Sequence, residues 1–243
     1  MTTDRSPATP AIPARFWILG IVSIALAHAL DPIAFAYLRI DNVYGEDWGR
    51  MLRVMGFVPL WIAAGAALML HERTPIRRLA RSRGGLIIAG SIVGGIAAEL
   101  AKLVVRRRRP GELGEYLFRP FTERPLSTGG LGMPSSHALV AFGAAAVLSR
   151  IYPRARIIWW GLAWGCGLTR VASGAHFLSD VVAAAVIGWL AGWLVWRWRD
   201  PAIDGDGAPA AAGRPDTAGT PESAGVPAAD TAPARSTITA AQE

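Results

Sequence analysis

Apolar and polar positions along this chain fall into long blocks instead of alternating residue by residue. Six apolar stretches stand out: Phe16 to Tyr37, Val54 to Leu70, Leu86 to Val105, His137 to Ile151, Ile157 to Ala172 and Phe177 to Trp196. A helix needs about 20 residues to cross a hydrocarbon core, and backbone groups in lipid must be bonded within their own segment. Runs of this length without period-two alternation therefore predict helices and not barrel strands. The pattern implies an all-α polytopic membrane protein, with a cytoplasmic segment at 1-15 and a six-helix transmembrane bundle over 16-199. The fourth and fifth stretches are the shortest. Pro32 and Pro59 lie inside the first two and are expected to kink or end them. Arg5 and Arg15 ahead of an apolar run, with Ala25-Leu26-Ala27 behind them, also fit a signal peptide. Apolar character resumes after Pro32, which favours a retained span.

Composition sharpens this picture. Of 243 residues 52% are hydrophobic and 18% charged, and the mean hydropathy of +0.31 is too high for an ordinary soluble domain of this length. The net charge is +7, yet the residues after Asp200 carry six acids against Arg214 and Arg235, which leaves +11 on the first 200. The apolar part is thus the basic part. Such a surface suits a bilayer with anionic headgroups or a phosphorylated lipid substrate, and argues against nucleic acid as a partner. Residues 200-243 contain no aromatic and are dominated by Ala, Pro, Gly, Thr and Asp, so they are expected to form a disordered cytoplasmic tail. The single cysteine, Cys166, cannot form an internal disulfide. The four histidines, His28, His71, His137 and His176, lack the spacing of a metal site.

Arginines set an expected orientation. Arg73, Arg77, Arg78, Arg81 and Arg83 separate stretches two and three, and Arg150, Arg154 and Arg156 separate four and five, so these loops are expected inside. With Arg5, Arg15, Arg197 and Arg199 that side holds 12 basic residues against 11 opposite. The bias persuades only if several of the 11 serve chemistry. Trp159, Trp160, Trp196 and Trp198 then gather at the inner interface as an aromatic belt.

Three polar clusters mark the outer ends of the apolar stretches: Lys102 with Arg106 to Arg109 and Pro110; Pro134-Ser135-Ser136-His137; and Thr169-Arg170 followed by His176 and Asp180. On a helix starting near His176, Asp180 shares its face four residues on. The carboxylate can hold one ring nitrogen and leave the other free as a nucleophile. Exposed N–H groups of that first turn favour a bound phosphate. Taken singly, each cluster has a plain explanation: an interfacial histidine, a headgroup-anchoring arginine run, a serine cap on the fourth span.

Together, Lys-x6-Arg-Pro, Pro-Ser-x-His and Arg-x5-His-x3-Asp, in this order over residues 86 to 196, resemble the type 2 phosphatidic acid phosphatase superfamily, which also takes in soluble vanadium haloperoxidases. The chain's only lysine is one of the matching positions. The resemblance implies metal-independent hydrolysis, with no cofactor, of a lipid phosphomonoester or pyrophosphate. By analogy His176 attacks phosphorus, Asp180 orients it, and His137 protonates the leaving oxygen and later activates water. Lys102, Arg109, Arg170, Ser135 and the Ser136 N–H would bind phosphoryl oxygens. Substrates implied by the family include undecaprenyl pyrophosphate, phosphatidic acid, phosphatidylglycerol phosphate and phosphorylated lipid A, with the first favoured by an outward site. A lipid phosphotransferase would use the same residues. A transporter or a noncatalytic scaffold is the reading from other classes.

Two departures are visible: Ser136 where the family commonly has Gly, which puts local geometry in question, and Thr169 where it has Ser, which keeps the hydroxyl. Glu99, three residues before Lys102, is a candidate ion-pair partner for it. Asp31 and His28 have no partner recognisable in the sequence. The segment from Gly111 to Met133 mixes aromatics with charges and suggests an interfacial loop.

Overall fold

The computed structural model describes residues 12–199; the expected tail at 200-243 and most of the N-terminal segment lie outside them. Every apolar stretch folds as helix. The elements are α1 (Ala14–Tyr37), α2 (Asp47–Val54), α3 (Val58–His71), α4 (Arg83–Val105), α5 (Ser136–Ile151), α6 (Arg156–Ala172) and α7 (Leu178–Trp196), with 3-10 turns at Ile76–Arg81 and Pro153–Ala155.

The two prolines act differently. Pro32 is absorbed within an unbroken α1. Pro59 sits in the first turn of α3, where its missing N–H leaves no bond unmade. The second apolar stretch is accordingly shorter than its sequence pattern and is preceded by α2, with a 66° bend between the two helices. α1, α4 and α7 are each long and apolar enough to cross a membrane, and α2 with α3 makes a fourth crossing if the bent pair is one broken span. The protein is thus an integral membrane protein with several apolar helices. α5 is apolar but has only 16 residues, about 24 Å at the helical rise.

α5 is the centre of the bundle, buried on every side from Ala138 to Leu148. Its neighbours α4 and α7 come close because small residues face it. A Cβ on Gly143 would lie 2.4 Å from the Gly90 carbonyl oxygen, one on Gly188 2.6 Å from Phe142 Cβ, and one on Gly192 2.4 Å from Ala146 Cβ. Lipid supplies no hydrophobic drive between helices, so such close backbone packing carries the association. α1 shows Ile18, Leu19, Ile21, Val22, Leu26 and Ile33 outward, as a lipid-facing helix would.

Antiparallel neighbours bring four helix ends to one level: the C-terminal turns of α4 and α6, and the N-terminal turns of α5 and α7. These ends carry the three polar clusters. Over them lies the 106–135 connection, held by isolated bridges between Arg107 and Phe118 and between Arg108 and Leu131. Arg106, in the left-handed conformation with φ 56°, ends α4. Its guanidinium donates to the carbonyls of Arg119, Pro120, Glu123 and Pro125 at 2.6–3.1 Å. Arg119 donates to Gly129 O at 2.9 Å and to Ser127 O. Two buried arginines thus order a loop that has almost no regular secondary structure, because they bond carbonyls that no helix or strand ladder pairs.

Candidate active site

α7 starts at Leu178, two residues later than the sequence suggests, with Asp180 in its first turn accepting the Phe177 N–H at 2.9 Å. The capping carboxylate still reaches His176: Asp180 Oδ2 lies 3.3 Å from Nδ1. This leaves Nε2 as the nitrogen free to react. Both residues are buried, His176 at 2% exposure and Asp180 at 0%. Burial lowers the His176 pKa below the ordinary imidazole value; the Asp180 bond opposes this, and the Arg170 and Arg109 charges add to it.

Around this pair stand the other expected residues. His137 is on the first turn of α5, and the charges of Arg170, His176 and Arg109 all reach it. Arg170, on the last turn of α6, donates to Tyr44 Oη at 2.8 Å. The Arg109 backbone N–H donates to Gly130 O at 3.1 Å, but its guanidinium has no hydrogen bond or ion pair among the described residues; partial burial and the nearby Arg170 charge pull its pKa below the ordinary arginine range. Three polar atoms here are buried without a partner: Ser135 Oγ, His137 Nε2 and Arg170 Nε. Native structures leave few such atoms, and these three belong to residues beside the pair: the Ser135 N–H donates to Asp180 O at 3.2 Å, and the Arg170 charge reaches both histidines, so they suit a phosphoryl group that would bond them. Ser135 precedes α5 but does not cap it with its hydroxyl, contrary to a plain capping role.

Lys102 is held differently. Its Nζ is 2.8 Å from Glu99 Oε1 and bonds Ser136 Oγ, which itself donates to Glu99 at 2.7 Å. Ser136 lies in the first turn of α5 and is not among the positive-φ residues, so the departure from glycine strains nothing here. The Thr169 hydroxyl donates to Cys166 O at 2.8 Å. Among the described residues no three His, Cys, Asp or Glu side chains converge as a metal-binding set.

The sequence did not reveal the wall behind Asp180. Arg107, 2% exposed, donates to Asp180 Oδ1 and to Ser179 Oγ at 2.7 Å. On its other side lies Asp31, 3.7 Å away. Asp31 accepts the Ser179 N–H at 2.8 Å, the Ser179 hydroxyl, and Tyr116 Oη at 3.0 Å. Burial and the Asp31 carboxylate push the Tyr116 phenol up to about 12, so it stays a donor. Tyr116 also stacks on Phe177, with ring centroids 4.7 Å apart, and so turns part of the 111–133 loop inward. The only sequence signal for this wall was a carboxylate in an apolar stretch, which is costly without partners.

Comparisons with known proteins bear on the family and the fold. Residues 84–204 match the family model described as the PAP2 superfamily. A lipid A 1-phosphatase of Rhizobium etli is 30% identical over 131 residues, 54% of this chain and 55% of that protein, so the chain spans about half the length of that relative. The bacitracin transport permease protein BcrC of Bacillus licheniformis is 30% identical over 186 residues, 70% of this chain and 85% of that protein. The crystal structure of a transmembrane PAP2-type phosphatidylglycerolphosphate phosphatase from Bacillus subtilis superposes with a TM-score of 0.52 at 18% identity, covering 75% of this chain and 93% of that one, a likeness of fold. With its motif residues gathered at one end of a matching helical bundle, the chain belongs to the PAP2 superfamily.

Proposed function

We propose that the protein is a metal-independent lipid phosphatase acting through a phosphohistidine. The observation that carries this is the buried His176–Asp180 pair beside residues whose Ser135 Oγ, His137 Nε2 and Arg170 Nε are buried and unpartnered. His176 Nε2 attacks phosphorus while Asp180 holds the Nδ1 proton. The bond from phosphorus to the leaving oxygen breaks, and His137 gives that oxygen a proton. His137 then takes a proton from water, whose oxygen attacks phosphorus; the bond from phosphorus to His176 Nε2 breaks, and inorganic phosphate is released. Arg109, Arg170, Lys102, Ser135 and the Ser136 N–H bind the phosphoryl oxygens and stabilise the charge spread over them.

A site at the ends of apolar helices favours an amphiphilic substrate. Undecaprenyl pyrophosphate is the leading candidate, with phosphorylated lipid A next because two relatives matched over about half their length are named lipid A 1-phosphatases. The bilayer arrangement proposed is six crossings, with α5 at the centre of the bundle and α6, which exposes Ile157, Ile158 and Leu168, completing its periphery. The site would lie on the outer face of a bacterial inner membrane and both termini in the cytoplasm. One relative carries a transport name. A transport path would need polar side chains at mid-membrane, whereas here they gather at one end of the bundle.

The test is inorganic phosphate release by purified protein in detergent with EDTA, from undecaprenyl pyrophosphate, lipid A and phosphatidic acid in parallel. Release that vanishes in His176→Ala is expected. Release that survives the substitution, or that requires added metal, would overturn the proposal.

A further inference from the structure

One cation near the site has no role in the chemistry above. Arg53 is exposed on the last turn of α2, the short helix before the 66° bend. That bend turns the chain back onto the catalytic end of the bundle. A Cβ on Gly56 would lie 2.6 Å from His137 Cβ, and Cys166 Sγ bridges the carbonyls of Arg53 and His137 at 3.9 and 3.8 Å. The Arg53 backbone is thus a neighbour of the His137 backbone, and its charge is among those that reach the His137 ring.

The side chain is positioned too. Its guanidinium carbon lies 4.6 Å from the centroid of the Tyr44 ring. Arg170 reaches the same tyrosine, 5.6 Å from the centroid and hydrogen-bonded to its hydroxyl. Two guanidinium groups therefore border one aromatic ring, one of them at the phosphate site. Arg53 has no ion pair among the described residues, and the carboxylate of its own helix, Asp47, is taken by Arg50 at 2.5 Å. An arginine held over an aromatic face, with its hydrogen-bond donors uncommitted, is suited to a second anionic group beside the first.

We infer that Arg53, braced on Tyr44, forms a subsite for the inner phosphate of a diphosphate lipid, the phosphate that departs with the lipid when His176 takes the terminal one. This rests on the proposed roles of His176 and His137. The chemistry separates two substrate classes. When a phosphomonoester is cleaved, the bridging oxygen leaves as an alcohol that needs only a proton from His137. When a diphosphate is cleaved, the P–O bond breaks to leave a lipid monophosphate that keeps negative charge after the proton arrives. A cation beside His137 stabilises that charge as it develops, an interaction stronger in the transition state than before it. The ordinary alternative for an exposed arginine at a membrane end is an anchor for anionic headgroups.

The test is the ratio of kcat/KM values for matched pairs, undecaprenyl pyrophosphate against undecaprenyl phosphate and diacylglycerol pyrophosphate against phosphatidic acid. It uses the full chain in zwitterionic detergent, with and without added phosphatidylglycerol. Arg53→Ala is expected to lower the diphosphate-to-monophosphate ratio at least tenfold, about 1.4 kcal/mol of discrimination, and Arg53→Lys to restore part of it. The same fall is expected whether or not phosphatidylglycerol is present. Equal losses on both members of a pair, no loss on either, or an effect that appears only with phosphatidylglycerol would each overturn the subsite. A wild-type protein that cleaves only monophosphates would also overturn it while leaving the phosphatase proposal intact. Absence of phosphate release from all four substrates and from lipid A would instead refute the phosphatase proposal itself.

Discussion

The two sides of His176 are built on opposite rules. Behind it, Asp180 is bonded to the imidazole, to Arg107 and to the Phe177 N–H, and Arg107 in turn lies between Asp180 and an Asp31 that accepts three further bonds. Apart from Arg107 Nε, the donors and acceptors of this wall are taken. In front of it, Ser135 Oγ, His137 Nε2 and Arg170 Nε are buried and unbonded, and the Arg109 guanidinium has no partner among the described residues. A satisfied wall fixes the imidazole in one tautomer and one orientation; an unsatisfied one is receptive to an anion. The difference teaches that preorganisation and binding have been assigned to separate faces of one residue.

Breaking each face should therefore fail differently. His176→Ala is expected to lower phosphate release by about four orders of magnitude or more, as loss of a nucleophile does. It should also leave the Arg107 and Asp31 bonds of the back wall in place. Arg107→Met breaks the other face. It leaves Asp31 and Asp180 buried without their shared guanidinium, a change that typically costs about 3–5 kcal/mol. The expected outcome is a protein less stable in detergent by that order, read as a drop in thermal midpoint, together with reduced turnover. A stable Arg107→Met protein with ordinary turnover would show that the back wall does not hold Asp180.

The two faces were unequally legible in the sequence. The front residues are spaced within helical turns or short motifs, so His176 and Asp180, or Ser135 and His137, announce one another. The back wall depends on pairings across the chain: Asp31 meets Ser179 at a separation of 148 residues, and Arg107 meets Asp180 at 73. Periodicity encodes which face of a helix is buried, not which distant helix it meets. Arg107 was concealed by company. In a run of four arginines, Arg106 orders the overlying loop, Arg107 supports Asp180, Arg108 pairs with Glu123 at the surface at 3.0 Å, and Arg109 faces the site, and composition treats all four alike. α2 escaped notice because its eight residues are polar enough to pass for a loop between apolar stretches.

A smaller effect follows from the His176 environment. Burial outweighs the Asp180 bond and depresses the imidazole pKa. The nucleophile must be neutral, so the acid limb of kcat/KM for phosphate release is expected below about pH 6.5, the ordinary imidazole value. Linkage has the same sign. Between the depressed folded value and the ordinary unfolded one, the unfolded chain binds the extra proton. The stability contributed by this group is thus complete above the unfolded value and lost as pH falls through the folded one. An acid limb above the ordinary value would mean that Asp180 dominates and that the back wall acts by raising basicity.

The smallest expected effect lies on the front face, at Ser136. Its hydroxyl bonds both Lys102 and Glu99, so it helps fix the direction of a cation that Glu99 already holds at 2.8 Å. Removing one such bond is worth about 0.5–1.5 kcal/mol, so Ser136→Ala should lower kcat/KM by roughly two- to tenfold. Ser136→Gly removes the same hydroxyl and adds backbone freedom. The first turn of α5 uses no positive φ at this position, so that freedom gives no new conformation the site needs and slightly weakens the helix start. Glycine should then match alanine or fall a little below it. A glycine variant faster than the native serine, beside an alanine variant that is slower, would show that the catalytic geometry passes through a backbone conformation the serine hinders, and that the front face is less preformed than its distances imply.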